Sequence, residues 1–246
     1  MDIYIISLEQ AIDRRESISR QFAGINIPFS FFNAVDGRKG KHSLFEHYNE
    51  KKRLLFKGYP MTPGELGCFA SHYLLWQKCV EKNQPIIVIE DDAQLIPANF
   101  LTFLKNINLF KDYSYLRLFV NNRKRPFVET ITLSDFKVVK YLRGPGATRA
   151  YYIAPDAARK FLAHADEWIL AVDDYMDQFW INQVTCMGIM PGIVKNETEF
   201  ESCINANERR HKKNRLTREL YNLAMAVRRF IYLQLNRSSI TKTDKA

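Results

Sequence analysis

Between Pro85 and Ile89 the chain reads Pro-Ile-Ile-Val-Ile and then passes directly into Glu90-Asp91-Asp92. A short apolar run rich in β-branched side chains reads as a strand buried on both faces. Three carboxylates at its end cannot share that burial, because desolvation and mutual repulsion both disfavour their ionised forms. The sequence therefore asks for a fold with this strand inside a sheet and a polar cleft at its carboxyl end. Open α/β sheets bind their ligands there.

The flanking sequence supplies such a sheet. Residues 3–8 are almost wholly apolar and read as another buried strand. A helix follows from about Glu9 to Phe22, with Ile12, Ile18 and Phe22 on one side and Gly24 placed to stop it. Pro28 to Phe32 reads as a strand running into Ala34-Val35-Asp36-Gly37, which completes a strand–helix–strand unit. Arg38 to Tyr59 is polar and reads as a loop with a short helix. The next helix starts at Thr62, whose hydroxyl can cap it, with Pro63 in the first position and Glu65 three residues after the cap. Leu66, Phe69, Tyr73, Leu74 and Trp76 carry it to about Glu81. Further on the pattern predicts a helix over 99–107, a strand over 115–120 and a loop over 121–130. Strands are predicted over 138–142 and 150–153, helices over 155–163 and 173–180, and an end to the regular pattern at 189–191. Strands interleaved with helices predict an α/β fold with a mostly parallel central sheet flanked by helices.

A chain of 246 residues is one large domain, or one with a small appendage. The N-terminus lacks the basic, long apolar segment of a signal peptide, and no apolar run is long enough to span a bilayer, so folding in the cytoplasm is expected. Cys68, Cys79, Cys186 and Cys203 match no zinc spacing and are expected as free, mostly buried thiols. The net charge of +9 is concentrated at one end: from Glu208 to Arg237 nine basic residues face two acidic ones. In the same segment Leu216, Leu220, Leu223, Ala224, Val227, Ile231 and Leu235 recur at helical spacing. A basic amphipathic helix is a membrane-surface signal. The alternative is a stripe packed on the domain or on a second subunit. Nucleic acid is not an expected partner, because the basic segment lacks a recognised binding fold.

The acidic triplet suits a hard cation such as Mn²⁺ or Mg²⁺, which prefers carboxylate oxygens and keeps positions open for phosphate. Glu90 and Asp92 lie two apart and point the same way if the strand continues. A plain acidic turn with Asp92 capping the next helix is the other reading. The helix start at Thr62-Pro63-Gly64 can receive phosphate through free backbone N–H groups. His72, beside Ser71, is either a donor-binding or acid–base group or a core histidine bonded to a neighbour. Asp36 can take ribose hydroxyls or simply make an Asp-Gly turn. Arg14 and Arg15 are solvated helix charges or face a diphosphate. Asp173 and Asp174 suit a helix N-terminus and also suit a general base acting on an acceptor hydroxyl. Asp177 follows one turn later.

Taken in order, several segments resemble glycosyltransferase family 25, the bacterial lipooligosaccharide galactosyltransferases and their relatives. They are Ile5-Ile6-Ser7-Leu8 with Arg14-Arg15, Ala34-Val35-Asp36-Gly37, Gly64-Glu65-Leu66-Gly67-Cys68 with Ser71-His72, and Ile89-Glu90-Asp91-Asp92-Ala93. Gly146-Ala147-Thr148, Ala150-Tyr151-Tyr152-Ile153, Ala157-Ala158 and Val172-Asp173-Asp174-Tyr175-Met176 follow in the same order. The resemblance covers roughly residues 2–204. It implies a GT-A-type fold, a UDP-sugar donor (usually UDP-galactose), a divalent metal and inversion at the anomeric carbon. On that reading residues 1–205 are the catalytic domain and 206–246 a basic amphipathic helical tail. Glu90 and Asp92 hold the metal, and Ser7, Arg14, Asp36, Gly64, Glu65, Ser71, His72 and Asp91 belong to the donor site. The base is Asp173, or Asp174 if the register slips by one. The acceptor is expected to be a lipid-linked oligosaccharide at the inner face of the cytoplasmic membrane. A metal-dependent phosphoesterase and a non-catalytic sugar-binding protein are the rival readings.

Overall fold

The computed structural model describes residues 1–120, 125–196 and 214–236. In chain order the main elements are β1 (Asp2–Ser7), α1 (Ile12–Ile25), β2 (Ser30–Asn33), α2 (Glu50–Lys57), α3 (Pro63–Lys82), β3 (Ile86–Glu90), β4 (Ala93–Leu95) and α4 (Pro97–Lys105). They continue as β5 (Tyr115–Arg117), β6 (Phe127–Leu133), β7 (Phe136–Tyr141), β8 (Ala150–Ile153), α5 (Pro155–Ala163), α6 (Val172–Met176), α7 (Phe179–Asn182), β9 (Met187–Met190), β10 (Val194–Asn196) and α8 (Arg215–Leu235). Eight strands form one sheet in the order β2-β1-β3-β8-β5-β9-β7-β6, and β10 pairs with β4 in a small second sheet.

Side-chain alternation sorts the core into two layers. Tyr4 and Ile6 of β1 and Ile86 and Val88 of β3 face α3 and α5, where they meet Phe69, Trp76, Phe161 and Trp168. Ile3 and Ile5, with Ile87 and Ile89, face α1 and α4, where they meet Ile18, Phe22, Phe100 and Phe103. The helices thus flank the sheet on both faces, as the interleaved pattern predicts.

The sheet is mixed, not mostly parallel. β1 runs parallel to β2 and β3, and β5 to β9. The β3–β8, β5–β8, β7–β9 and β6–β7 pairs are antiparallel. A parallel neighbour needs a crossover of a dozen or more residues, usually a helix. None of the described residues between β5 and β8 is helical, and β6 and β7 join through the tight turn at Ser134-Asp135.

Several boundaries differ from the sequence expectation. Helix α1 runs past Gly24 to Ile25 and ends on Asn26 in the left-handed conformation, and Ile12 is exposed. The segment read as a loop over 121–130 enters β6 at Phe127, and strands β9 and β10 lie on either side of Pro191. The helix expected over 173–180 is two short ones, α6 and α7. The domain boundary near residue 205, Cys203, and the basic residues Arg209, Arg210, Lys212, Lys213 and Arg237 lie outside the described residues. Cys68, Cys79 and Cys186 are free thiols.

Candidate active site

The acidic triplet leaves the sheet where β1 and β3 end side by side, with Ile6 opposite Glu90. Strand alternation divides its members. Glu90 has the parity of Val88 and turns towards α3, where its Oε1 lies 3.5 Å from His72 Nε2 and accepts a hydrogen bond from the Thr148 hydroxyl. Asp91 has the parity of Ile89 and turns towards α1, where it accepts from Ser7 Oγ at 2.6 Å and from Arg14 Nη1 at 3.1 Å. Asp92 lies beyond the strand, paired with Arg149 at 2.7 Å. Burial pushes the Asp91 and Asp92 carboxyls up. For Asp92 the neighbouring Glu90 charge adds to that push, while Arg149 opposes it.

The opposite wall is the start of α3. Its first turn carries the expected reciprocal cap: Thr62 Oγ1 accepts from Glu65 N–H at 3.1 Å, and Glu65 Oε2 accepts from Thr62 N–H at 2.7 Å. Glu65 Oε1 also lies 3.6 Å from Arg53 Nη2, so this carboxylate is already engaged within the fold. α3 presses on the segment 34–37. A Cβ on Gly67 would lie 2.3 Å from the Val35 carbonyl oxygen, and one on Gly37 would overlap that of Pro63. Ser71, fully buried, accepts from Val35 N–H at 2.9 Å and donates to Gly67 O at 2.7 Å. Asp36 is held over the cleft by Gln10 Nε2 at 2.7 Å and by Arg38 N–H at 3.1 Å.

His72 lies behind this wall, fully buried, with Nδ1 2.9 Å from the Tyr151 hydroxyl. Arg15 binds the Ser7 and Leu8 carbonyls and Asn33, which clamps β1 to β2, whereas Arg14 lines the cleft.

The paired aspartates separate. Asp173 lines the cleft, where its carboxylate accepts from Ala147 N–H at 3.3 Å and Asp174 N–H at 2.8 Å. Burial and the Asp174 charge push its carboxyl up. Asp174 faces outward, 54% exposed, and pairs with Lys57 at 3.4 Å. Asp177 carries the turn before β8: it binds Arg117 at 2.7 Å and accepts from Gly146 N–H at 2.6 Å. Arg117 in turn donates to the Ala147 carbonyl. The sequence reading missed Gln10, Arg117 and Arg149. An arginine inside the apolar run 115–120 was the available signal, because a buried guanidinium demands a carboxylate.

The acidic triplet, the start of α3, the segment 34–37 and Asp173 border one cleft of about 550 Å³. That lies within the roughly 300–1,000 Å³ typical of small-ligand sites. Ser7, Arg14, Asp36, Gly64, Glu65, Ser71, Asp91, Asp173, Glu90 and Asp92 all line it, and His72 does not. Asp92 Oδ1 is buried against Arg149 at 2.7 Å, so a hard cation held at Asp92 would share this carboxylate with the guanidinium.

The chain matches the profile of "Glycosyltransferase family 25 (LPS biosynthesis protein)" over residues 1–176. It is similar to lipooligosaccharide biosynthesis protein lic2B of Haemophilus influenzae, at 34% identity over 209 residues, 80% of this chain and 76% of that protein. It is also similar to the lacto-N-neotetraose biosynthesis glycosyltransferase LgtE of Neisseria meningitidis serogroup B, at 24% identity over 94% of this chain and 90% of that one. Procollagen galactosyltransferase 1-B of Xenopus laevis is 29% identical over 71% of this chain, which spans 30% of that longer protein. With the family profile covering most of the sheet and its cleft, and a relative more than 30% identical along most of both lengths, the chain belongs to glycosyltransferase family 25.

Proposed function

We propose that this chain is an inverting glycosyltransferase on a GT-A-type fold that moves a hexose, galactose foremost, from a UDP-sugar to a lipooligosaccharide or lipopolysaccharide acceptor. The observation that carries the reading is the meeting, in one cleft, of Asp36, the acidic triplet and the separate carboxylate Asp173. The names of the bacterial relatives favour the acceptor class, and that of the collagen-modifying relative favours galactose.

Asp36, which lines the cleft, would take ribose hydroxyls. Arg14 and Gly64, whose N–H the cap at the start of α3 does not engage, would face the phosphates. Asp173 takes the proton from the acceptor hydroxyl as that oxygen attacks the anomeric carbon opposite the leaving diphosphate. Asp174 points away and pairs with Lys57, which favours Asp173 as the base. Asp92 and Glu90 would hold Mn²⁺ or Mg²⁺, which when bound neutralises the diphosphate leaving group.

No helix among the described residues is long and apolar enough to cross a membrane. The exposed apolar stripe of α8, with Arg215 and Arg228 beside it, would instead hold the enzyme on the cytoplasmic face, next to a lipid-linked acceptor.

Calorimetry with UDP-galactose, UDP-glucose, the two N-acetylhexosamine analogues and UDP, each with and without Mn²⁺, tests the reading. Metal-dependent binding strongest for UDP-galactose is expected. Absence of binding by every UDP compound under both conditions would overturn it.

A further inference from the structure

Cys68 and His72 are four residues apart and so share one face of α3. That face lies over Glu90 at the end of β3. The Cys68 sulfur, a His72 ring nitrogen and a Glu90 carboxylate oxygen lie within 4.8 Å of one another.

The histidine is set up in a particular way. It is fully buried, and Nδ1 is engaged by the Tyr151 hydroxyl, whose oxygen also accepts from Trp76 Nε1 at 3.2 Å. The ring is therefore fixed from behind. Nε2 points at Glu90 Oε1 across 3.5 Å, a contact too long for a good hydrogen bond. A buried ring nitrogen satisfied only at that range is costly and calls for an explanation. A ligating histidine is held in this way, with its second nitrogen bonded to a neighbour that fixes the orientation.

The ligand types narrow the choice of cation. Thiolate and imidazole with one carboxylate suit a borderline-soft ion in tetrahedral geometry, whereas carboxylates alone suit Mn²⁺ or Mg²⁺. Cys68 lines the cleft, so the cluster borders on it and a cation could enter from that side. We propose that Cys68, His72 and Glu90 form a site for a divalent cation of the Zn²⁺ class, set apart from the site at Asp92 by Cys68 and His72 and sharing Glu90 with it. Binding breaks the S–H bond of Cys68, sends the proton to solvent and forms the sulfur–metal bond, with no change of oxidation state. The site fills more readily as pH rises. It also draws on Glu90, so its occupant competes with whatever the triplet holds.

Co²⁺ is the probe, because a thiolate ligand gives it a near-ultraviolet charge-transfer band. One equivalent added to the full chain is expected to produce that band, and Zn²⁺ to displace it. Cys68→Ser abolishes it, and His72→Gln, with folding checked by circular dichroism, weakens Co²⁺ binding at least about tenfold. Asp92→Asn and Cys203→Ser retain it. In the unmodified protein, Zn²⁺ protects Cys68 from iodoacetamide, read by peptide mass spectrometry. No band in the wild type, or a band that survives Cys68→Ser, would overturn the site. So would loss of the band in Asp92→Asn, or equal alkylation of Cys68 with and without Zn²⁺.

Discussion

Adjacent carboxylates in the triplet have different duties because the strand sends them in different directions. Asp91 is the acceptor for Ser7 and Arg14 and so ties β1, α1 and β3 together. Asp91→Ala removes charge-assisted hydrogen bonds and is expected to cost about 1.5–3 kcal/mol, measured by urea unfolding. Asp92→Asn keeps the side chain's shape and an oxygen for Arg149 while removing a charge that burial and Glu90 disfavour, so its stability should stay within about 1 kcal/mol of wild type while Mn²⁺-dependent donor binding disappears. A stable Asp91→Ala variant, or normal binding in Asp92→Asn, would reverse these roles. Asp173 makes a third case. Its carboxyl sits above the ordinary value of 3.8, so the folded state binds its proton more tightly than the unfolded chain does. The stability this gives is complete below the ordinary value and is lost as pH rises through the folded value. At neutral pH the charge is therefore a burden, and Asp173→Asn should melt no lower than wild type, yet transfer no sugar. The acid limb of kcat/KM should lie above pH 3.8, because the base acts only when ionised. A lower melting temperature together with retained transfer would refute that account. The sequence displayed the triplet and the Asp173-Asp174 pair in full. It could not choose between the last two, because both suit a helix start and only the packing of α6 turns one of them inward.

At the scale of elements, the site depends on how closely α3 approaches the segment after β2. The sequence made the start of α3 legible because a threonine, a proline and a glutamate at fixed positions encode a cap locally. The reason for Gly67 is not local: the Val35 carbonyl occupies the space its Cβ would take. Gly67→Ala must push α3 away from residues 34–37. It is expected to cost about 1–3 kcal/mol in urea unfolding and to weaken UDP binding, because Ser71 and Asp36 lie on the two surfaces that separate. Unfolding and UDP affinity both equal to wild type would show that the contact is dispensable. The same distinction between local and distant causes explains the sheet. β1 and β3 announce themselves as apolar runs, but β6 is an edge strand whose exposed residues hide its periodicity. The direction of β8 depends on which neighbours it meets, and hydropathy does not carry that.

Across the whole molecule, α8 reverses the usual orientation of an amphipathic helix. Tyr221 stacks on Phe56 at 4.7 Å and Arg229 sits over Trp180 at 5.8 Å, while Asn214 and Thr217 donate to the carbonyls of Leu54 and Leu55. These residues lie on one side. Leu216, Leu220, Leu223, Val227, Phe230, Ile231 and Leu235 lie on the other, 47–77% exposed. The helical spacing revealed the stripe, but periodicity does not say which face meets the domain, so packing on the domain or on a second subunit was the alternative reading of the sequence. Each large apolar side chain taken out of water is worth about 1.5–3 kcal/mol when fully buried, and several in one row favour a surface that can cover them. An anionic bilayer answers both the stripe and the basic residues, each of which adds about 1 kcal/mol near such a leaflet. The full chain should therefore sediment with vesicles rich in phosphatidylglycerol, less with purely zwitterionic ones, and less again as salt rises. Leu220→Glu combined with Leu223→Glu should abolish sedimentation, and Arg228→Glu should weaken it, with UDP-sugar binding retained in both because α8 contributes nothing to the cleft. If the chain ignores anionic vesicles but forms a dimer that the double glutamate variant dissociates, the stripe belongs to a second copy of the chain, and the acceptor must reach the cleft by another route.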